Sequence, residues 1–311
     1  MIQMAPGIHV ALIEQGVEVW NEWRESNPRV EPDLREAKLH KADLRQANLT
    51  KVNLSSADLS MADLSMANLE WSNLYQANLV EATIHSTKLY KANLRETNLT
   101  MANLGHAVLT GADLCMANLY RANLTGADLT EATLYTAKLR EAELREADLH
   151  RTDLREADLT QAHLNEANLT EANFTMAIFS LANLIGATLY KTNLYKANLS
   201  LANLCMANLL GASMRRTIAI GTNFIGANFY RANLHKAILI QADLREATLS
   251  ETILTRADLR KANLSMANLR DASLSDANLA GANLTRANLY HANLEGAYLR
   301  SAIMPNGQKH E

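Results

Sequence analysis

The stretch that decides the fold is residues 57–69, which read Ala-Asp-Leu-Ser-Met-Ala-Asp-Leu-Ser-Met-Ala-Asn-Leu. The same five-residue unit, Ala-(Asp/Asn)-Leu-x-x, runs in one register over residues 32–304 without insertion or deletion. Of the 55 positions spaced by five from Leu34 to Met304, 47 are Leu, and Ala stands two residues before 45 of the 55. Self-similarity at a fixed period is typical of repeat architectures.

The period of five excludes an ordinary helix or strand. Five residues of α-helix turn about 500°, so each Leu would lie about 140° from the last and no common core face would form. In a flat strand, Ala and Leu share a face, but the next Leu points to the other. The period fits a chain that turns a corner after every unit, with Ala and Leu inward and the other three residues outward.

The positions where Ala is replaced indicate a coil of 20 residues. Six of the ten replacements fall on the same position when the chain is counted in twenties, and the other four are scattered. The six are Pro32, Val52, Ser72, Thr152, Thr192 and Thr252, and the four are Thr87, Thr97, Thr217 and Thr222. Side chains 20 residues apart would then lie one above the other at about 4.8 Å.

The tandem units resemble the pentapeptide repeat family over residues 32–304. The resemblance implies an all-β fold, a right-handed quadrilateral β-helix (a solenoid), and with four sides per coil the 55 units make about 14 coils. The number of sides comes from this resemblance, since a period of five alone does not force it. We therefore divide the chain into a helical cap at 1–31, the β-helix at 32–304 and a polar tail at 305–311.

The first 31 residues lack the repeat and predict a short helical cap over the first coil. The expected apolar face is Ile8, Leu12, Val19 and Trp23, flanked by Ile13 and Trp20. Gly16 divides the segment into two short helices, and Pro28 and Pro32 bar further helix. We expect both tryptophans of this segment to be packing residues.

This leader also resembles bacterial, often cyanobacterial, members of the family. The residues that carry the resemblance are Gly16-Val17, Trp20-Asn21, Trp23-Arg24 and Pro32-Asp33-Leu34. At the other end, Pro305-Asn306-Gly307 stops the repeat. Either the polar tail folds over the last coil, or that coil pairs with a second copy in an end-to-end homodimer, as the resemblance allows.

Composition argues against an enzyme. The chain has 30 Lys and Arg, 33 Asp and Glu, a net charge of -3 and two Cys. It contains no glycine-rich phosphate loop, no nucleophile motif and no metal-type Cys or His spacing. We therefore expect no catalytic residues, cofactor or metal. Without an apolar run of about 18 residues or a secretory signal, we expect no membrane span and a cytoplasmic location.

One surface column carries only positive charge. Counting in twenties gives Lys196, Arg216, Lys236 and Arg256 in succession, and stacked like charges destabilise a sheet. Residues 172–242 contain six Lys or Arg and no Asp or Glu, a charge of +6 that leaves -9 for the rest of the chain. The sequence therefore predicts a basic band between acidic flanks.

The same region places apolar side chains outward. We call residues 172–256 the basic–apolar band and predict that it is a protein-binding interface, because an apolar patch beside Arg and Tyr has the composition of such contacts. The candidate residues are Lys191, Tyr195, Lys196, Arg215, Arg216, Arg231, Lys236, Arg256, Ile178, Ile218, Ile220, Ile238 and Ile240. The competing interpretation is that these apolar residues only offset a weak repeat between Gly211 and Gly221.

Three function classes follow. The first is a non-catalytic protein–protein interaction scaffold whose partner is unknown. The second, implied by the family resemblance, is a DNA mimic that modulates a type II topoisomerase, although a mimic should be acidic along its length. The third is a binder of an anionic surface, nucleic acid or lipid, which the acidic flanks disfavour. We favour the scaffold and regard nucleic acid as the least expected partner.

Overall fold

A computed structural model describes residues 6–311 and contains two helices, α1 (Pro6–Ile13) and α2 (Val17–Ser26). From Asp33 to Ile303 each five-residue unit contributes one bridging residue followed by a two-residue turn. The units are too short to form continuous strands, so their pairing takes the form of isolated bridges.

The bridges join residues 20 apart and are parallel, as in Asp33 with Asn53 and Asn53 with Asn73. Beside them, the Leu34 N–H donates to the Asn53 carbonyl at 2.7 Å, and the Asn53 N–H to the Pro32 carbonyl at 2.9 Å. The predicted 20-residue coil is confirmed. We call its faces sides 1 to 4, containing Asp33, Lys38, Asp43 and Asn48 respectively, and every 20th residue after each.

The chain divides into two compact units, Met1–Asp153 and Leu154–Glu311. The first contains the two helices and the earlier coils, and the second contains the whole basic–apolar band. The domain boundaries expected at residues 31/32 and 304/305 stay a prediction.

Inward positions build the core of each unit. Leu59, Leu64 and Leu69 are fully buried, as are Ala62 and Ala67 between them. Threonines that replace Ala are buried too, and each hydroxyl donates to a main-chain carbonyl. For example, Thr192 Oγ1 lies 2.9 Å from the Leu169 carbonyl oxygen. These buried hydroxyls therefore have hydrogen-bond partners, as buried polar groups usually do.

The weak stretch from Gly211 to Gly221 keeps regular coil geometry. Ser213 and Ile218 form the expected bridges to both neighbouring coils. Ala219 supplies little volume, but Phe224 and Phe229 in the same coil are fully buried and meet edge to face at 5.1 Å. The larger pair supplies apolar volume that Ala219 lacks.

The cap differs in detail from the expected helical face. α1 and α2 are separated at Gly16, and α2 ends before Pro28, as predicted. The buried side chains are His9, Ile13, Trp20 and Arg24, whereas Ile8 and Val19 are exposed. The face is displaced because Trp20 and Arg24 reach main-chain carbonyls of the first coil: Trp20 Nε1 donates to Asn48 and Arg24 Nη2 to Thr50, each at 2.8 Å.

The C-terminal tail folds back on one side of the last coil. Gly307 has φ 83° and its N–H donates to the Met304 carbonyl at 2.8 Å. The chain then runs antiparallel, so that Ile303 bridges Lys309. The tail thus pairs with one side of the last coil and leaves the inward Leu289, Leu294 and Leu299 half-buried, so it does not cover the coil as the first expected arrangement requires.

Candidate protein-binding surface

Every corner of the coil holds a residue in the left-handed region. From Glu36 to Ser301 each fifth residue has positive φ, near 55–60° for most, and only eight of these positions are Gly. The column Lys196, Arg216 and Lys236 lies at this position, after side 1, with φ of 57–58°. The corner aims these side chains outward, away from the Leu core.

Two of the predicted cations are neutralised by the following coil. Arg256 Nε lies 3.3 Å from Asp276 Oδ2, and Arg231 Nε lies 2.7 Å from Glu251 Oε2. The Tyr230 hydroxyl donates to the same Glu251 carboxylate at 2.8 Å. The column of four cations counted from the sequence ends at Arg256, and the next residue of that column, Asp276, offsets the Arg256 charge.

Two further cations lie over tyrosine rings. Lys196 Nζ is 5.3 Å from the ring centre of Tyr195, and Lys191 Nζ is 5.0 Å from that of Tyr190. Contacts of this kind contribute about 0.5–1 kcal/mol at exposed sites. They leave the ammonium groups accessible for a further partner.

Arg215, Arg216 and Lys236 have no ion pair with any residue between 6 and 311. Their combined field acts on His235, whose Nδ1 lies 2.6 Å from Thr255 Oγ1. Partial burial, and then the charges of Lys236 and the nearby arginines, lower the pKa of His235 below its ordinary value. Lys236 and the nearby arginines are thus close enough to His235 to disfavour a positive charge on its ring.

Side 2 adjoins this corner and carries the isoleucines. Ile178 and Ile220 are 39% and 37% exposed, and Ile218, Ile238 and Ile240 are half-buried. Ile218 bridges Ile238 directly. The structure therefore places Ile218, Ile220, Ile238 and Ile240 on or beside side 2 of two adjacent coils, whereas Ile178 lies two coils before Ile218, with Asn198 between them.

These isoleucines break a local rule of the coil. Where Asn or Asp precedes the inward Leu, its side-chain oxygen accepts the N–H two residues on, as in Ser200 N to Asn198 Oδ1 at 3.0 Å. Ile178, Ile218 and Ile238 stand at that position on the same side but have no oxygen to offer. Natural sequences abandon local rules most often where function requires it.

The apolar surface extends beyond the predicted residues. Leu181 and Leu201 are 53% and 61% exposed at the corner after side 2, and Leu201 lies over Gly221, where an added Cβ would come within 3.0 Å of its Cδ2. Met176 and Met206 are also exposed. Counting in twenties could have found Met176, because it begins the column that continues with Lys196.

The predicted cations and Tyr195 lie at the two corners that bound side 1. Lys191 and Arg231 occupy the corner before side 1, whereas Arg216 and Lys236 occupy the corner after it. Tyr195 and Arg215 lie at the first turn position after side 1. Within the basic–apolar band, the cations therefore lie at the two corners that bound side 1. The apolar side 2 adjoins only the second of these corners.

Possible reactive groups elsewhere do not form a familiar catalytic arrangement. His40 Nδ1 is 2.8 Å from Ser60 Oγ, but the Ser60 hydroxyl donates to Asp58 at 2.6 Å. In a catalytic triad the carboxylate holds the histidine instead. Burial raises the pKa of Cys115 to about 11, which disfavours the reactive thiolate.

Residues 6–311 contain neither a metal-type cluster of side chains nor a helix suited to cross a membrane. In that range no three His, Cys, Asp or Glu side chains are grouped to hold a metal ion, although the His85 and His106 rings meet edge to face at 5.5 Å. Nor does any helix of that range have the length and apolar composition to cross a bilayer.

Solved structures of similar proteins include HetL, a pentapeptide repeat protein involved in heterocyst differentiation regulation from the cyanobacterium Nostoc sp. It is 40% identical over 69% of this chain and 92% of HetL, with a TM-score of 0.35. Rfr23 from the cyanobacterium Cyanothece is 30% identical over 37% of this chain and 86% of Rfr23, with a TM-score of 0.25. QnrB1, a plasmid-mediated fluoroquinolone resistance protein, is 17% identical over 65% of this chain and 88% of its own, with a TM-score of 0.41.

No curated protein matches the chain. The family model for pentapeptide repeats, in contrast, matches eight stretches that together span nearly all of the repeat region. They are residues 33–65, 62–100, 98–134, 122–161, 162–200, 197–235, 227–265 and 267–304. The chain therefore belongs to the pentapeptide repeat family, whose members fold as right-handed quadrilateral β-helices and are generally structural or interaction proteins rather than enzymes.

Proposed function

We propose that the protein is a non-catalytic scaffold for another protein and that its contact surface is the basic–apolar band. One observation carries the proposal: on side 2, Ile218 and Ile238 replace the hydrogen-bonding Asn or Asp beside Arg216 and Lys236, two cations that have no ion pair within residues 6–311. Ile178 makes the same replacement two coils before Ile218, beside Met176. Exposed apolar area rimmed by Arg and aromatic residues is the composition of protein interfaces.

The same observation weighs against the two alternatives. A DNA mimic for a type II topoisomerase needs acidic surface, but residues 172–242 contain none. A binder of nucleic acid or lipid phosphates needs cations more than isoleucines. In addition, Arg231 and Arg256 are already held by carboxylates.

Affinity purification from extracts of the source cells, with mass spectrometry, tests the proposal. The test variant carries Lys196→Glu, Arg216→Glu and Lys236→Glu. The matched control carries Lys41→Glu, Lys51→Glu and Lys261→Glu, which makes the same charge change at exposed lysines elsewhere. We expect the test variant to lose its partners and the control to keep them. Equal partner sets for the two variants would refute the site.

A second variant separates function from the weak-repeat interpretation. Ile218→Asn with Ile238→Asn restores two side-chain oxygens, each bond contributing about 0.5–1.5 kcal/mol, and removes one apolar cross-strand pair of about 0.2–1 kcal/mol. We expect the free energy of unfolding to stay the same or to rise by up to about 3 kcal/mol while partners are lost. A marked loss of stability with partners retained would favour the weak-repeat interpretation. Val108→Asn makes a comparable change at an exposed residue outside the band.

The end-to-end homodimer and the cytoplasmic location also stay proposals. In the last coil the inward Leu289, Leu294 and Leu299 are half-buried, whereas Leu269, Leu274 and Leu279 one coil earlier are fully buried. This exposure supports an end contact. Sedimentation equilibrium tests it, since a dimer predicts twice the chain mass of 34.3 kDa.

A further inference from the structure

The main chain of side 2 offers no edge for an added strand. The Ile218 N–H donates to the Ala197 carbonyl at 2.9 Å, and the Ile218 carbonyl accepts from Leu199 N–H at 2.7 Å. Ile238 N–H donates to Thr217 at 2.9 Å in the same way. Because both neighbouring coils already use these groups, a partner on this side must be recognised through side chains.

The spacing of the cations along the stacking direction indicates the secondary structure of such a partner. Lys196, Arg216 and Lys236 follow one another at about 4.8 Å per coil, or about 9.6 Å across two steps. Two turns of an α-helix advance about 10.8 Å, a difference that long Lys and Arg side chains can absorb. Same-face residues of an extended strand advance about 13 Å over two steps, which matches poorly.

The apolar residues run parallel to these cations. Arg216 and Ile218 are separated by one inward residue, Thr217, and Lys236 and Ile238 by Ala237, so these two cations each adjoin an isoleucine in their own coil. Lys196 adjoins Asn198, which Ile218 bridges from the next coil. The surface is therefore a basic stripe next to an apolar stripe, both directed along the stacking of the coils. A complementary partner carries an acidic stripe beside an apolar one.

We propose that the basic–apolar band binds an acidic amphipathic α-helix aligned with the stacking direction of the coils. Carboxylates at i, i+4 and i+7 of this helix face Lys196, Arg216 and Lys236, and its neighbouring apolar stripe covers the isoleucines of side 2. This inference rests on the proposed function and specifies the chemistry of the partner.

The probe is a fluorescent 16-residue peptide with Glu at i, i+4 and i+7 and Leu at i+1, i+5 and i+8, its helicity verified by circular dichroism. One control peptide has the same composition with the Glu stripe opposite the Leu stripe. Another has a central Pro that prevents a continuous helix. Fluorescence anisotropy against the full-length protein at low salt measures the dissociation constants.

We expect the patterned peptide to bind at least tenfold more tightly than either control peptide, and to lose affinity as salt rises. The Lys196, Arg216 and Lys236 charge-reversal variant should lose at least tenfold, whereas the Lys41, Lys51 and Lys261 control should not. Equal or tighter binding of the Pro peptide, tighter binding of single-stranded oligothymidine, or no preference for the patterned peptide would each overturn the proposal.

The outcome is separable from that of the proposed function. If charge reversal removes the cellular partners but the patterned peptide shows no preference, the band binds protein in another form and only the helix inference fails. If charge reversal leaves the cellular partners unchanged, the proposed function fails whatever the peptide does.

Discussion

At the scale of single residues, the corner position imposes the largest local cost. For L-residues the left-handed region costs about 1–2 kcal/mol, yet 46 non-glycine residues occupy it. The hydrogen bond that closes each turn helps to hold the corner, as in Ala37 N to Leu34 O at 3.1 Å. Asx contacts such as Arg35 N to Asp33 Oδ1 add a second bond at many corners.

Thr136 is the clearest case, since a β-branched residue there has φ 54°. We expect Thr136→Gly to raise the free energy of unfolding by about 1 kcal/mol, because relief of strain exceeds the added backbone entropy of the unfolded chain. Chemical denaturation measures the change. Thr130→Gly is the matched control, since Thr130 precedes the left-handed Glu131 in its corner but does not itself have positive φ, and this variant should lose stability. A loss at Thr136 equal to that at Thr130 would contradict the argument.

At the scale of elements, the cap is the only helical part of residues 6–311, and polar contacts fix its position. Buried Arg24 donates to the Val30 and Thr50 carbonyls, each at 2.8 Å. His9 accepts a hydrogen bond from Asp33 N–H through Nδ1 at 3.2 Å and packs 5.2 Å from the Trp23 ring. Because Nδ1 must be unprotonated to accept, this contact requires neutral His9.

Burial lowers the pKa of His9 below 6.5, and the Asp33 carboxylate opposes this only in part. The unfolded chain therefore takes up a proton before the folded chain does, so cap stability is full above about pH 6.5 and falls as the pH drops through the depressed pKa. Denaturation midpoints followed by tryptophan fluorescence should show this loss as the pH is lowered below about 6.5. His9→Gln should flatten the dependence and His163→Gln, at an exposed site, should not. An unchanged profile in His9→Gln would exclude His9 as its source.

At the scale of the whole molecule, the 20-residue coil is the repeating unit whose contributions to stability add together. Within each of the two compact units, a coil contacts its neighbouring coils through the same hydrogen bonds, so stability accumulates by nearest-neighbour terms. Within Met1–Asp153 and within Leu154–Glu311 the 20-residue register is uninterrupted.

Deleting residues 96–115 removes one coil and leaves every remaining residue on its own side. We expect the variant to fold, with a melting temperature within about 5 °C of the parent, as seen by circular dichroism. Deleting residues 96–113 instead joins a turn residue directly to Leu114 and omits a corner. That variant should aggregate or melt at a much lower temperature. Equal stability of the two deletions would show that the coil register does not govern folding.

The sequence by itself determined the coil and its core, because Leu and Ala at every fifth residue leave few ways to bury them. Counting in twenties also predicted the isoleucine side and the basic corner. Counting in twenties also places Asp276 next to Arg256 and Glu251 next to Arg231, but whether they form ion pairs depends on which way the long side chains lean between coils, and this only the structure shows.

Only the tertiary structure decided the face of the cap and the conformation of the corners. A helical wheel predicts that apolar residues such as Ile8 and Val19 are buried, but both are exposed. Arg24 and Trp20 are buried instead, because they donate hydrogen bonds to main-chain carbonyls of the first coil. Left-handed corners left only a sparse glycine signature: eight of the nine glycines in residues 32–304 lie at corners, but 46 of the 54 corners hold other residues, kept there by the closing hydrogen bonds and the packed interior. Local pattern thus determined what is buried along the repeat, and contacts between distant residues determined the rest.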